Sequence, residues 1–234
     1  MATEDAKDHQ TYLWVVAHPD DAEFSSAGTI ARFAKEGKTV IVIQVTSGDR
    51  GSSDRTFTPE KLAGTRESEE REAARRLGVS EVVFLRQPDG ALVPDIGLRE
   101  KITRMIRTHR PDVIVTHDPF RPYALHPDHR AVGMATHDAV YPTARDHLYY
   151  PEHLASGLEP HKTAEIWYFG CEEPDVYIDI TDTFDTKVDA LMAHKSQVGD
   201  GENLAERLRE RSTDLAKDQP FELAEVFKSV QMRI

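Results

Sequence analysis

Short apolar runs at residues 12–17, 39–45, 82–85 and 112–116 alternate with longer stretches of helical spacing, and few folds accept that order. The runs are rich in β-branched and aromatic residues and nearly free of charge, as strands buried on both faces are. Between them, residues 25–36 repeat apolar groups at helical intervals and stop at Gly37, residues 59–77 stop at Gly78, and residues 96–109 lead into the fourth run. A glycine at such a stop suits a left-handed C-terminal cap. Residues 66–76 add opposite charges at helical spacing around an Ala-rich face, which supports a helix there. Four repeats of strand then helix predict parallel strands with right-handed crossovers and helices on both faces. The expected fold is α/β and Rossmann-like, with a mainly parallel sheet. Residues 164–169 and 176–180 read as later strands, 183–193 as a helix, and the Glu/Arg-rich stretch 202–217 as a solvated surface helix.

A chain of 234 residues can bury a substantial core as one domain spanning 1–234, and no linker-like composition divides it. Residues 1–10 are polar and acidic and read as a disordered lead-in without the apolar core of a secretory signal. No apolar segment approaches the roughly 20 residues that cross a bilayer. A net charge of -12 without a long basic cluster argues against nucleic acid or an anionic membrane as partner and favours a small molecule. Cys171 is the only cysteine, which excludes an intramolecular disulfide and a thiolate-rich structural zinc site. It reads as a buried small apolar group, and a reducing cytoplasm is the expected compartment.

Two motifs carry the chemistry. His18-Pro19-Asp20-Asp21 follows the first apolar run directly, and His126-Pro127-Asp128-His129 lies in the loop after the fourth. Ligands of open parallel sheets gather just beyond strand carboxyl ends, so both motifs fall where function resides. A catalytic zinc commonly takes three His or Asp/Glu ligands and leaves the fourth position to water, a count that His18, Asp21 and His129 satisfy. Consecutive aspartates cannot both point at one ion without an unusual turn, so one binds the metal and the other acts as general base. Pro127 suits the first position of a helix, placing His126 beside the N-cap and His129 one turn along. Either histidine can reach the metal, the other then serving an oxyanion or a leaving nitrogen, while Asp128 can orient an imidazole from behind. His109, His117, His137, His147, His153 and His161 match no metal spacing with this cluster and are expected mostly at surfaces or in loops. Tyr123, Tyr149, Tyr150 and Trp167 fit an acceptor pocket, a core or a subunit interface equally.

With these residues in view, the chain resembles the LmbE-like, or PIG-L, family of zinc-dependent N-acetylglucosaminyl deacetylases. The likeness runs through Ala17-His18-Pro19-Asp20-Asp21-Ala22-Glu23, the loop 46–51, Arg66-Glu67, Ala73-Ala74, Leu77-Gly78, Pro88-Asp89-Gly90 and the second His/Asp motif, with His194-Lys195-Ser196-Gln197 near the C-terminus. It implies that His18, Asp21 and His129 ligate one Zn2+ per subunit, that Asp20 is the general base and that His126 stabilises the tetrahedral intermediate. It further implies that Arg66 and Asp89 line a sugar pocket and that subunits form a homo-oligomer, often a hexamer; His194 reads equally as a helix-end histidine buried in hydrogen bonds or as one supporting the site from behind. Asp49 departs from the glutamate that many relatives carry in that loop. The reaction so implied is removal of an N-acetyl group from an N-acetylglucosamine-type sugar or conjugate by a metal-activated water. An amidase acting on a thiol-sugar conjugate is the alternative within the class. A non-haem iron oxygenase would also use two histidines and a carboxylate. A nucleotide-binding module would need the Gly-x-Gly-x-x-Gly turn that the first run lacks.

Overall fold

The protein, described by a computed structural model over residues 9–123 and 126–232, is built on one seven-stranded sheet. In chain order the strands are β1 (Thr11–Val16), β2 (Thr39–Thr46), β3 (Glu81–Gln87), β4 (Val113–His117), β5 (Glu165–Phe169), β6 (Val176–Asp179) and β7 (Ala224–Gln231). They lie in the order β3-β2-β1-β4-β5-β7-β6. The first five pair in parallel, and β7 enters antiparallel between β5 and β6. The sheet is therefore mainly parallel, as expected.

The helices are α1 (Asp21–Lys35), α2 (Pro59–Leu77), α3 (Ile96–His109), α4 (Pro127–Asp138), α5 (Pro151–Ala155), α6 (Phe184–Leu191), α7 (Lys195–Val198) and α8 (Leu204–Leu215). Alternate residues of β1 serve opposite faces, because side chains on a strand point up and down in turn. Tyr12, Trp14 and Val16 pack with Ala27, Ile30 and Phe33 of α1 and Leu77 of α2. Leu13 and Val15 pack with Ile102 and Ile106 of α3 and Val132 of α4. Covered on both faces, the central strands have no need of polar residues.

Three local differences from the sequence reading have physical causes. Helix α1 starts at Asp21 rather than at residue 25, since Asp21 and Glu23 occupy its first turn, where a carboxylate suits the helix dipole. Strand β7 and the short helices α5 and α7 are additional to the expected elements. Helix α8 is only half solvated: Leu204 and Leu208 join Phe184, Leu191 and Leu223 in a separate apolar cluster. The lead-in expectation for 1–10 falls mostly on residues 1–8, outside the described residues, whereas Gln10 donates its N–H to Asp112 Oδ2 at 2.8 Å. No helix among the described residues is long and apolar enough to cross a membrane.

Two crossovers position the site. From β1 the chain steps outward to β2 and β3, then returns to lay β4 on the other side of β1. The loops leaving β1 and β4 thus diverge at a topological switch point, the usual ligand crevice of such sheets. Helix α1 is held over that crevice by close packing, since a Cβ on Gly28 would lie 2.7 Å from Ile180 Cβ. Gly28→Ala is expected to cost about 1–3 kcal/mol through overpacking, lowering the melting temperature by about 2–4 °C for each kcal/mol. Thermal unfolding of the variant checks this, and an unchanged midpoint would show that α1 is free to shift.

Candidate functional site

The first motif separates its two aspartates by backbone geometry. Asp20 takes φ 91° and ψ -20°, the left-handed region that L residues other than glycine seldom occupy. That turn sends Asp21 back toward the strand, where His18 N–H donates to Asp21 Oδ2 at 2.7 Å. Asp20 faces the other way, its Oδ2 lying 3.3 Å from Arg66 Nη2. The second motif caps α4: Pro127 occupies the first turn and His126 Nδ1 accepts the Asp128 N–H at 3.2 Å.

The structure brings His18, Asp21 and His129 together from distant parts of the chain. His129 Nε2 lies 3.1 Å from Asp21 Oδ1 and 3.3 Å from His18 Nδ1, and His18 Nδ1 lies 3.3 Å from Asp21 Oδ2. Ligands bonded at zinc distances of 2.0–2.1 Å stand about 3.3 Å apart along a tetrahedron edge, a spacing His18 and His129 meet directly and Asp21 meets through one oxygen to each, and His126 and His117 complete two overlapping groups that could also hold an ion here. The opposite nitrogen, His18 Nε2, faces Asp89 Oδ1 at 3.2 Å and Asp128 Oδ2 at 3.3 Å, the carboxylate support that metal-binding histidines usually have. Those carboxylates are themselves fixed: Asp128 accepts from Gly90 N–H and Leu92 N–H, and Asp89 from Arg50 N–H.

The electrostatics favour a cation. Burial works against a charged His18, yet the carboxylates of Asp21 and Asp89 push its imidazole up to about 10. Burial likewise opposes a charged Asp21, but His117, His129 and His18 hold it well below the usual carboxylate range. Asp20 is pushed up to about 7, by burial first and by the Asp21 charge second, against the pull of Arg66. His126 is lowered by burial and by its histidine neighbours, and with Nδ1 occupied by a backbone N–H its Nε2 is left as the donor. Its ring centroid lies 4.6 Å from that of His18.

Arg66 and Asp89 are both almost fully buried rather than open to a pocket. Arg66 donates to Gly48 O and Pro19 O, bracing the turn that carries Asp20. Gly48 at φ +66° is required there, because a Cβ would fall 2.5 Å from Arg66 Nη1. Asp49 is half-buried, 3.8 Å from Arg50 Nε. His194 is fully buried beside Glu23 and Glu70, and Glu70 Oε2 accepts the Asp20 N–H at 3.4 Å. Burial pushes Glu23 up to about 7 and Glu70 up to about 8.

His117 and His153 depart from the expected surface or loop setting, both being buried. His117 ends β4, stacks on His129 with centroids 4.1 Å apart, and accepts the Ala17 N–H on Nε2 at 3.2 Å. Burial pushes it down to about 4, so it walls the site as a neutral ring. Its one sequence signal is its place directly after an apolar run, the kind of position His18 also has. Trp167 is a core residue, whereas Tyr123 is exposed. A cavity of about 260 Å³ opens beside Asp21 and His129, with Phe24, Arg121, Phe169 and Arg211 among its lining.

A family model described as PIG-L: GlcNAc-PI de-N-acetylase matches residues 13–140, the stretch that holds both His/Asp motifs. The chain belongs to the PIG-L family. Among its relatives, a diacetylchitobiose deacetylase of Thermococcus kodakarensis is 31% identical, covering 83% of this chain and 72% of that protein. A 1D-myo-inositol 2-acetamido-2-deoxy-alpha-D-glucopyranoside deacetylase of Mycobacteroides abscessus is also 31% identical, covering 82% of this chain and 84% of that protein. The solved N,N'-diacetylchitobiose deacetylase of Pyrococcus horikoshii superposes with a TM-score of 0.93 at 29% identity, over 99% of this chain and 87% of that one. The PIG-L fold thus extends across β5 to β7, beyond the stretch the family model matches.

Proposed function

We propose that this chain is a metal-dependent hydrolase that removes the N-acetyl group from an N-acetylglucosamine-type amino sugar or conjugate, releasing acetate and a free amine. The observation that carries the reading is the convergence of His18, Asp21 and His129 within 3.1–3.3 Å of one another, with a second carboxylate, Asp20, held next to them in the chain by Arg66. The names of the relatives support the substrate class. His18 Nδ1, Asp21 and His129 Nε2 would hold the ion, and their nitrogen and oxygen set suits zinc.

When bound, the ion supplies a Lewis acid that polarises the amide oxygen and brings a water to ionise near pH 7. Asp20 takes the proton of the attacking water and returns it to the amide nitrogen as the C–N bond breaks. Arg66 fixes that carboxylate by holding it and the Pro19 carbonyl together. His126 donates from Nε2 to the oxygen that gains charge. Asp128 and Asp89 keep His18 turned with Nδ1 inward. A cavity of about 260 Å³ beside Asp21 and His129 gives a ligand a way to the proposed ion. A single domain, a cytoplasmic setting and a homo-oligomeric assembly belong to the same proposal.

The test is acetate release from N-acetylglucosamine, its oligomers, and inositol-linked and malate-linked forms, before and after dialysis against a chelator. The metal contributes several kcal/mol of charge stabilisation, so the stripped protein is expected to lose about 10³-fold in rate and recover with Zn2+. Hydrolysis of any of these that ignores the chelator, or none of it at all, would overturn the reading.

A further inference from the structure

A second convergence of ligating side chains takes no part in that chemistry. Glu23 in the first turn of α1, Glu70 on α2 and His194 just after α6 meet beneath Asp20, each no more than 1% exposed. One ligand atom from each lies within 4.8 Å of the others. His194 Nε2 is 3.7 Å from Glu23 Oε2 and 3.8 Å from Glu70 Oε2, beyond hydrogen-bond reach. Both ring nitrogens of His194, Glu23 Oε2 and Glu70 Oε1 lack a hydrogen-bond partner within 3.5 Å among the described residues.

Buried polar atoms left without a partner are expensive, and sites of this kind normally hold a partner or an ion. The neighbouring cations are committed elsewhere. Lys187 Nζ donates to Glu225 and the Phe24 carbonyl, and Arg66 to Gly48, Pro19 and Asp20. A divalent ion answers both carboxylates and the imidazole at once, and zinc ligands at 2.0–2.2 Å stand roughly 3.3–3.6 Å apart, so the observed spacing needs only slight contraction.

We propose that Glu23, Glu70 and His194 form a second, buried and structural site for a divalent transition-metal ion, with Zn2+ the ion its ligands suit. Such an ion ties α1, α2 and the segment before α7 together. Through Glu70 Oε2 it also steadies the Asp20 backbone. The proposal does not depend on which substrate is hydrolysed.

The experiment is zinc counting by plasma mass spectrometry on protein dialysed first against ZnCl2 and then against metal-free buffer. The wild type is expected to hold two zinc ions per chain. Glu70→Gln and His194→Gln are each expected to hold one, and His129→Ala to keep the inner one. Retention of the wild-type count in both inner variants, or a wild-type count of one that falls to zero in His129→Ala, overturns the site. Should the inner variants fold poorly, zinc-edge anomalous scattering from wild-type crystals decides. A peak among Glu23, Glu70 and His194 supports the proposal, and a map with a peak only at His18, Asp21 and His129 overturns it. Loss of acetate release with two ions still counted would defeat the deacetylase reading and leave this one standing.

Discussion

Asp20→Asn is expected to lower kcat for acetate release by about 10²–10⁴-fold, the range that a positioned general base contributes, with the zinc content unchanged. The amide keeps the shape of the carboxylate and can still accept from Arg66, so the turn it occupies stays in place. What it loses is a site for the water's proton. Because the Asp20 carboxylate pairs with Arg66 and is not one of the proposed ligands, its replacement is expected to leave the ion in place. Steady-state kinetics beside a metal count separate the two effects, and a kcat within a few-fold of wild type would remove Asp20 from the mechanism.

Lys187→Ala is expected to cost about 3–5 kcal/mol of folding stability, the usual penalty for removing one member of a buried ion pair. Lys187 Nζ donates to Glu225 Oε1 at 2.6 Å and to Phe24 O at 3.1 Å, and the two charged side chains are only 3% and 2% exposed. Glu225 also accepts from Gly28 N–H, Thr29 N–H and Thr29 Oγ1, joining β7 to α1. Truncation leaves that carboxylate with dipoles alone for company. Denaturant unfolding measures the loss, and a change below about 1 kcal/mol would mean that water reaches Glu225 as readily as it does a surface acid.

Strands β1, β2, β4 and β5 are legible in the sequence because each is covered on both sides, which makes nearly every residue apolar. β7 is not. Its buried Glu225 looks like a surface charge until Lys187, far away in the chain, is brought beside it, and its place between β5 and β6 depends on antiparallel pairing at long range. The same contrast divides the site. Two His/Asp motifs can be read because their candidate ligating residues crowd into four positions each. His117 comes beside Asp21 only through the pairing of β1 with β4. Glu23 and Glu70 are hidden for another reason, since acids within helices ordinarily face solvent. Asp89 before Gly90 reads as a turn residue, and its contact with His18 depends on how the loop after β3 folds back.

The left-handed backbone at Asp20 sets two selective pressures against each other. A side chain held there costs on the order of 1–3 kcal/mol that glycine would not. The cheapest route to a hardier fold at this position is therefore to discard the carboxylate proposed to move the proton. Heat tolerance and turnover pull position 20 in opposite directions, and engineering that ranks positions by conformational ease alone would begin by disarming the enzyme.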